Sequence, residues 1–102
     1  MLELRPVCEN CKTPLPPDSV DAMICSFECT FCMHCATEVL YNVCPNCGGG
    51  FAPRPIRPAV NRKGDNYLGV YPATKTVKFR PVDRDLHDNF AAALRDIPPH
   101  KR

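Results

Sequence analysis

Eight cysteines carry most of the chemistry this sequence can do, and they are not scattered. Six of them form three pairs of one spacing: CENC (Cys8, Cys11), CMHC (Cys32, Cys35) and CPNC (Cys44, Cys47). The other two, Cys25 and Cys29, stand just ahead of the second pair. Two cysteines three residues apart can turn both thiolates onto one cation, while amides of the tight turn hydrogen-bond to the sulfurs and spread their charge. Gly48, directly after CPNC, supplies the permissive backbone that such a turn often needs on exit. Four soft sulfur ligands select zinc, or iron where the cell offers it, and zinc is the commoner structural choice.

Eight sulfurs divide into two tetrahedral sites, and two divisions are open. In a sequential arrangement Cys8, Cys11, Cys25 and Cys29 hold one metal and Cys32, Cys35, Cys44 and Cys47 the other. In an interleaved one, Cys8 and Cys11 join Cys32 and Cys35, and Cys25 and Cys29 join Cys44 and Cys47. Only Thr30 and Phe31 separate Cys29 from Cys32. An extended segment sends residues at an odd offset to opposite faces, so a strand there serves either division. His34, inside CMHC, is a spare donor read as an exposed side chain, and His87 and His100 in the tail are read as surface residues.

The elements that must position these ligands are short. Leu2 and Leu4 alternate with charged residues and predict a strand entering the first cysteine turn. KTPLPPDS, residues 12–19, is a loop. Ala22 to Cys25 and the following ECTF predict a hairpin, and Cys35 to Tyr41 a helix with Val39 and Leu40 turned inward. Prolines 53, 55 and 58 exclude a helix after the glycine exit and favour extended geometry. TKTVKFRPV, residues 74–82, predicts an edge strand stopped by Pro81. Asp83 is the expected N-cap of a helix over 84–96, with Leu86, Phe90, Leu94 and Ile97 as the apolar stripe that docks it.

Length and charge set the frame. A chain of 102 residues has room for one small core, and modules below roughly 70 to 80 residues usually add disulfides or metal. MLELRPVC lacks the order of a secretory signal, and no apolar run has transmembrane length. A cytoplasmic protein is therefore expected, in a reducing compartment where paired cysteines mean metal more often than disulfide. The formal net charge is +2, but eight thiolates and two Zn2+ add −4 and bring the loaded protein near −2. Residues 1–50 hold two basic and six acidic side chains, and residues 51–102 eleven and five. The molecule is thus an acidic metal module followed by a basic tail.

CSFECTFCMHCATEVLYNVCPNCGG resembles the second half of a RING finger, in which a ligand, one residue and a Phe precede C-x2-C, a short helix and a C-P-x-C ending. Cys29, Phe31, Cys32, Cys35, Cys44, Pro45 and Cys47 match in order, with Cys29 where RING domains usually have His. The resemblance implies a cross-brace and hence the interleaved sites. MLELRPVCENC, LPPDSVDAMICSFECTFCMHC and CPNCGG also resemble the short bacterial eight-cysteine proteins of domain-of-unknown-function family 1272 over about the first 60 residues. YPATKTVKFRPVD and DIPPHKR extend that likeness more loosely. It implies a stand-alone bacterial zinc protein and no particular activity.

The expected fold is a small metal-stabilised α+β. It has a RING-like, treble-clef-type zinc module with a hairpin and a helix over 1–50, a Pro/Arg-rich linker over 51–73, and a basic strand plus amphipathic helix over 74–102. A zinc held by four cysteines keeps no open position for water or substrate, and no phosphate loop or catalytic triad motif is present, so no enzyme is expected. The expected role is a protein-interaction or regulatory module. Ligase surface residues of RING fingers do not carry over: Glu9 and Asn10 replace an aliphatic residue in the first pair, Tyr41 is the only aromatic where Trp is typical, and Gly48 to Gly50 follow the last ligand. The alternative is nucleic-acid binding through Arg54, Arg57, Arg62, Lys63, Lys75, Lys78 and Arg80, with Tyr67, Tyr71 and Phe79 for stacking. A zinc-thiolate redox sensor is a third class.

Overall fold

A computed structural model describes all residues 1–102. Ala22–Ile24 (β1) and Thr30–Cys32 (β2) form the expected hairpin, paired antiparallel with Ala22 opposite Cys32, Met23 opposite Phe31 and Ile24 opposite Thr30. Its turn is closed by hydrogen bonds between Cys25 and Cys29 (3.2 Å) and from Glu28 N to Cys25 O (3.1 Å), with Glu28 left-handed at φ 66°. A third strand, Ala52–Pro53 (β3), adds antiparallel to β1 on its free side, so the sheet order is β2-β1-β3. Proline is tolerated there because an edge strand needs no inward N–H from it. The stretch 51–73 thus begins inside the sheet, and Arg54 N continues the ladder to Ala22 O at 2.9 Å.

The helix expected from Cys35 is a single π-helical turn, Cys35–Val39, marked by Leu40 N donating to Cys35 O at 2.8 Å. Tyr41 and Asn42 take left-handed backbone, φ 53° and 58°, which stops further winding and turns the chain back toward Cys44. Cys35, Ala36 and Leu40 are buried, and Val39 packs at the edge of the core. The core cluster is Cys8, Leu15, Ala22, Cys25, Cys29, Phe31, Cys32, Cys35, Ala36, Leu40 and Cys44, with Phe51 edge-on to Phe31 at 5.4 Å between centroids. Six of these eleven are cysteines, so core and candidate metal sites are one object.

Several expectations are corrected. No strand forms at Leu2–Leu4, because Leu4 is left-handed at φ 54° and turns the chain inward. No strand forms over 74–82 either: with the N-terminal chain coiling beside it, only separate contacts are made, Thr74 N to Glu3 O, Arg80 N to Glu9 O and Val82 N to Asn10 Oδ1. The helix is Arg84–Ala92 (α1), shorter than 84–96, with Asp83 capping Leu86 N at 3.1 Å. Its buried face is His87 and Ala91; of the expected stripe Leu86 is 70% exposed and Phe90 45%, while Leu94 and Ile97 are half-buried. His87 is 4% exposed, a correction to its surface reading, and its Nε2 hydrogen-bonds Leu40 O at 3.0 Å. Ala91 is small enough to let the helix close on the module. Phe90 and Leu94 lie over Gly48, where an added Cβ would come within 3.2 Å of each. A 3-10 turn, Pro99–Lys101, ends the chain, and no helix is long and apolar enough to cross a membrane.

Candidate metal centre

The sulfurs of Cys8, Cys11, Cys32 and Cys35 all lie within 4.8 Å of one another. Cys8 and Cys11 are brought there by a turn in which Lys12 N donates to Cys8 O (2.9 Å) and Lys12 takes φ 66°. Cys32 closes β2 and Cys35 opens the π-helical turn, so CMHC spans the step from strand to helix. A second group joins Cys25, from the hairpin turn, to Cys44 and Cys47 at the same limit. Cys29 falls outside that distance set. It is buried on the same hairpin turn, and its charge is among those that act on Cys44. Six of the eight thiols are buried; Cys11 and Cys47 are exposed.

Amide donors converge on the sulfurs. Cys35 N reaches Cys32 Sγ at 3.5 Å, Phe27 N reaches Cys25 Sγ at 3.3 Å, and Asn46 N and Gly49 N reach Cys44 Sγ and Cys47 Sγ at 3.4 Å each. Such donors stabilise thiolate over thiol and orient it. Burial pushes the thiols of Cys32, Cys35 and Cys44 up, with charged neighbouring cysteines adding to it. Burial also pushes up on Cys11, but hydrogen bonds with Thr13, Cys8 and Cys32 outweigh it and bring that thiol down to about 7. A divalent cation removes the mutual repulsion that keeps these groups protonated, and the protons leave as it binds.

Donor chemistry and spacing fit a metal. Four sulfurs each about 2.3 Å from a tetrahedral zinc stand about 3.8 Å apart, and Cys11 Sγ and Cys32 Sγ are 3.8 Å apart. The two groups could hold metal ions, with every near donor a sulfur. His34 and His100 are exposed, and neither belongs to a group.

The residues around the first site are the ones sequence reasoning missed. Glu9, inside CENC, is almost wholly buried and accepts from Arg5 Nη1 at 3.0 Å and from Thr30 N, with Arg80 Nη2 3.6 Å away. Arg5 is held cationic: burial lowers its pKa, but Glu9 and Glu3 more than offset it. Asn10 donates from Nδ2 to Cys35 Sγ at 3.3 Å and accepts from Val82 N at 2.9 Å. Acidic and amide residues between two ligands were visible, and Arg5 lies only four residues from Glu9, but Thr30, Cys35 and Val82, the other partners, lie 21 to 72 residues away and leave no local pattern.

Several of the basic residues considered for nucleic acid are engaged within the chain. Arg54 is 4% exposed, and its guanidinium donates to Arg5 O, Leu15 O and Pro16 O. Burial lowers the Arg54 pKa, and three carbonyls take up its donors. Arg57 donates to Leu2 O and Tyr71 O; Lys78 pairs with Glu3 at 3.7 Å and Arg80 with Glu9. Arg62, Lys63 and Lys75 are exposed. Tyr71 and Phe79 are exposed, Tyr67 is half-buried against Gly69, and Phe79 carries Lys12 Nζ 5.3 Å from its ring centroid. An open cleft of about 430 Å³ separates the last cysteine turn from the tail, floored by Cys29 and Phe31 and walled by Pro45, Val82, His87 and Phe90.

A family model described as "Protein of unknown function (DUF1272)" matches residues 1–57. An uncharacterised protein of Rhizobium meliloti (strain 1021) is 53% identical over 81 residues, which cover 79% of this chain and 89% of that protein. No solved structure matches.

Proposed function

This chain belongs to the DUF1272 family, whose description assigns no function, and from that premise we propose that it is a non-catalytic zinc protein of the cytoplasm. Two Zn2+ ions, each held by four thiolates in a RING-like, treble-clef-type cross-brace, present a small surface to a partner protein. One observation carries the reading: thiols 21 to 27 residues apart, Cys8 and Cys11 with Cys32 and Cys35, converge within 4.8 Å while Cys25 joins Cys44 and Cys47. Cys29 completes the second site, supported by its burial beside Cys44 and by the tetrahedral demand of zinc. Four sulfurs fill the coordination sphere, so the ion's work is folding and presentation, and no water is activated.

A protein partner has more support than a nucleic acid. Arg54 and Arg57 are turned onto backbone carbonyls and Lys78 and Arg80 onto carboxylates, which leaves Arg62, Lys63 and Lys75 as a sparse basic surface. Exposed apolar side chains are more plentiful, with Phe27 66% and Leu86 70% exposed. Native mass spectrometry of the protein purified without added metal tests the first half: two zinc ions per chain are expected, and one or none overturns the reading. A photo-crosslinking residue at position 27 or 86 tests the second. A zinc-dependent adduct with a defined host protein is expected, whereas adducts with nucleic acid alone, or none, remove the protein partner.

A further inference from the structure

The C-terminal segment is tied to both metal sites, and the ties are of a kind that transmit. At the first site Asn10 has two heads. Its Nδ2 donates to the ligand Cys35 Sγ at 3.3 Å and its Oδ1 accepts from Val82 N at 2.9 Å. Both contacts fix the amide's orientation, because the flipped amide would aim an oxygen at the sulfur and an NH2 at an N–H. Glu9 beside it accepts from Thr30 N and pairs with Arg80, while its carbonyl takes Arg80 N at 2.8 Å. At the second site Phe90 and Leu94 rest on Gly48, which itself donates to Cys44 O at 2.8 Å. Arg102 closes the far end, donating to Asn42 O at 2.7 Å and Gly48 O at 3.1 Å.

We propose that residues 79–102 are a metal-coupled clamp. They dock across both cysteine turns when the sites are loaded, and they are released together with those turns when metal leaves, which exposes Cys29 and Phe31. The inference rests on the two-zinc reading above and adds its regulation. Asn10 is a positioning residue in this device: it touches a ligand sulfur on one side and the clamp's backbone on the other. A metal fixes the position of Cys35 Sγ and leaves it part of its negative charge, so losing the metal changes both the place and the charge of the acceptor that Asn10 grips. Linkage makes the coupling reciprocal, so a loosened clamp must also lower the affinity for metal.

The reciprocal arm supplies the test, on the full-length chain loaded with two Zn2+ or two Co2+. Phe90→Ser and Arg102→Ala change the clamp without altering a ligand, and Asn10→Leu removes both heads of the link. Asn10→Leu should keep two metals while the Val82 amide and those of α1 exchange hydrogen about tenfold faster. In the cobalt form its sulfur-to-metal charge-transfer band should move to lower energy, because a thiolate that has lost a donor gives up its electron more readily. Phe90→Ser, or Arg102→Ala should the first not fold, should lower metal affinity about fivefold or more, read at equilibrium against a competing chelator. Faster exchange in the clamp with metal affinity at the wild-type value would overturn the coupling, as would an unchanged Val82 amide and cobalt band in Asn10→Leu. A wild-type chain carrying fewer than two metals would instead sink the two-zinc reading.

Discussion

At the scale of single residues, Glu9 shows how little of a polar network a sequence discloses. Within CENC it marks a departure from the aliphatic residue of a RING finger, and nothing nearby says what it does instead. Folding places its carboxylate at 3% side-chain exposure against an Arg5 guanidinium at 10%, and gives it the Thr30 amide as well. Removing one partner of a buried pair costs about 3 to 5 kcal/mol, and because Arg5 keeps Glu3 at 3.3 Å the loss here falls toward the lower end. Glu9→Gln should therefore lower the denaturation midpoint of the zinc-loaded chain sharply, read by urea titration. Glu9→Gln paired with Arg5→Met should recover part of the loss, because the charges that then lose a partner, Arg80 and Glu3, are solvent-accessible. The sulfurs were legible by contrast, since ligand chemistry fixes residue type and turn geometry fixes spacing. Spacing left their division between sites open, because an odd offset across Thr30 and Phe31 suits either arrangement, and only the RING resemblance pointed to the interleaved grouping of Cys8 and Cys11 with Cys32 and Cys35.

At the scale of elements, the legible pieces have local causes. The hairpin follows from two short runs, AMI and TFC, joined by a tight turn with Glu28 left-handed, and α1 starts where Asp83 caps it. What was not legible was decided by tertiary contact. Alternation over 74–82 meets no parallel neighbour and stays unpaired, and the docking face of α1 turns from Leu86 and Phe90 to His87 and Ala91 because Leu40 O captures His87. Gly48 joins the two halves at this scale. Its φ of 77° disfavours any side chain, and a Cβ there would press on Phe90 and Leu94 at 3.2 Å. Gly48→Ala should cost about 1 to 2 kcal/mol from backbone alone, with a further loss in α1. Circular dichroism melts should show the helix signal lost earlier than in the parent chain, while a Gly64→Ala control, also at φ 57° but with only Asn66 Nδ2 near it at 3.6 Å, should show the backbone cost without the helix effect.

At the scale of the whole molecule, shape and burial say where the stability must come from. A chain of this mass packed to ordinary density exposes about 5,800 Å², and this one exposes 6309 Å². Its radius of gyration is 14.5 Å where about 13 Å is usual for the length. Only 20 of 102 residues are buried, and six of the eleven in the core cluster are cysteines. An apolar core of that size supplies a few kcal/mol at most, whereas a structural zinc site contributes roughly 10 to 16 kcal/mol of folding free energy at neutral pH. Chelation under reducing conditions should then unfold the chain in one cooperative step. The tail should go with the module, because Asn10, Gly48 and Arg102 tie it there and it has no core of its own. Hydrogen exchange of α1 on titration with a strong chelator measures this. Protection of α1 should fall in parallel with that of β1 and β2 and return on adding zinc, and a helix that kept its protection after the sheet had lost it would show two independent folding units.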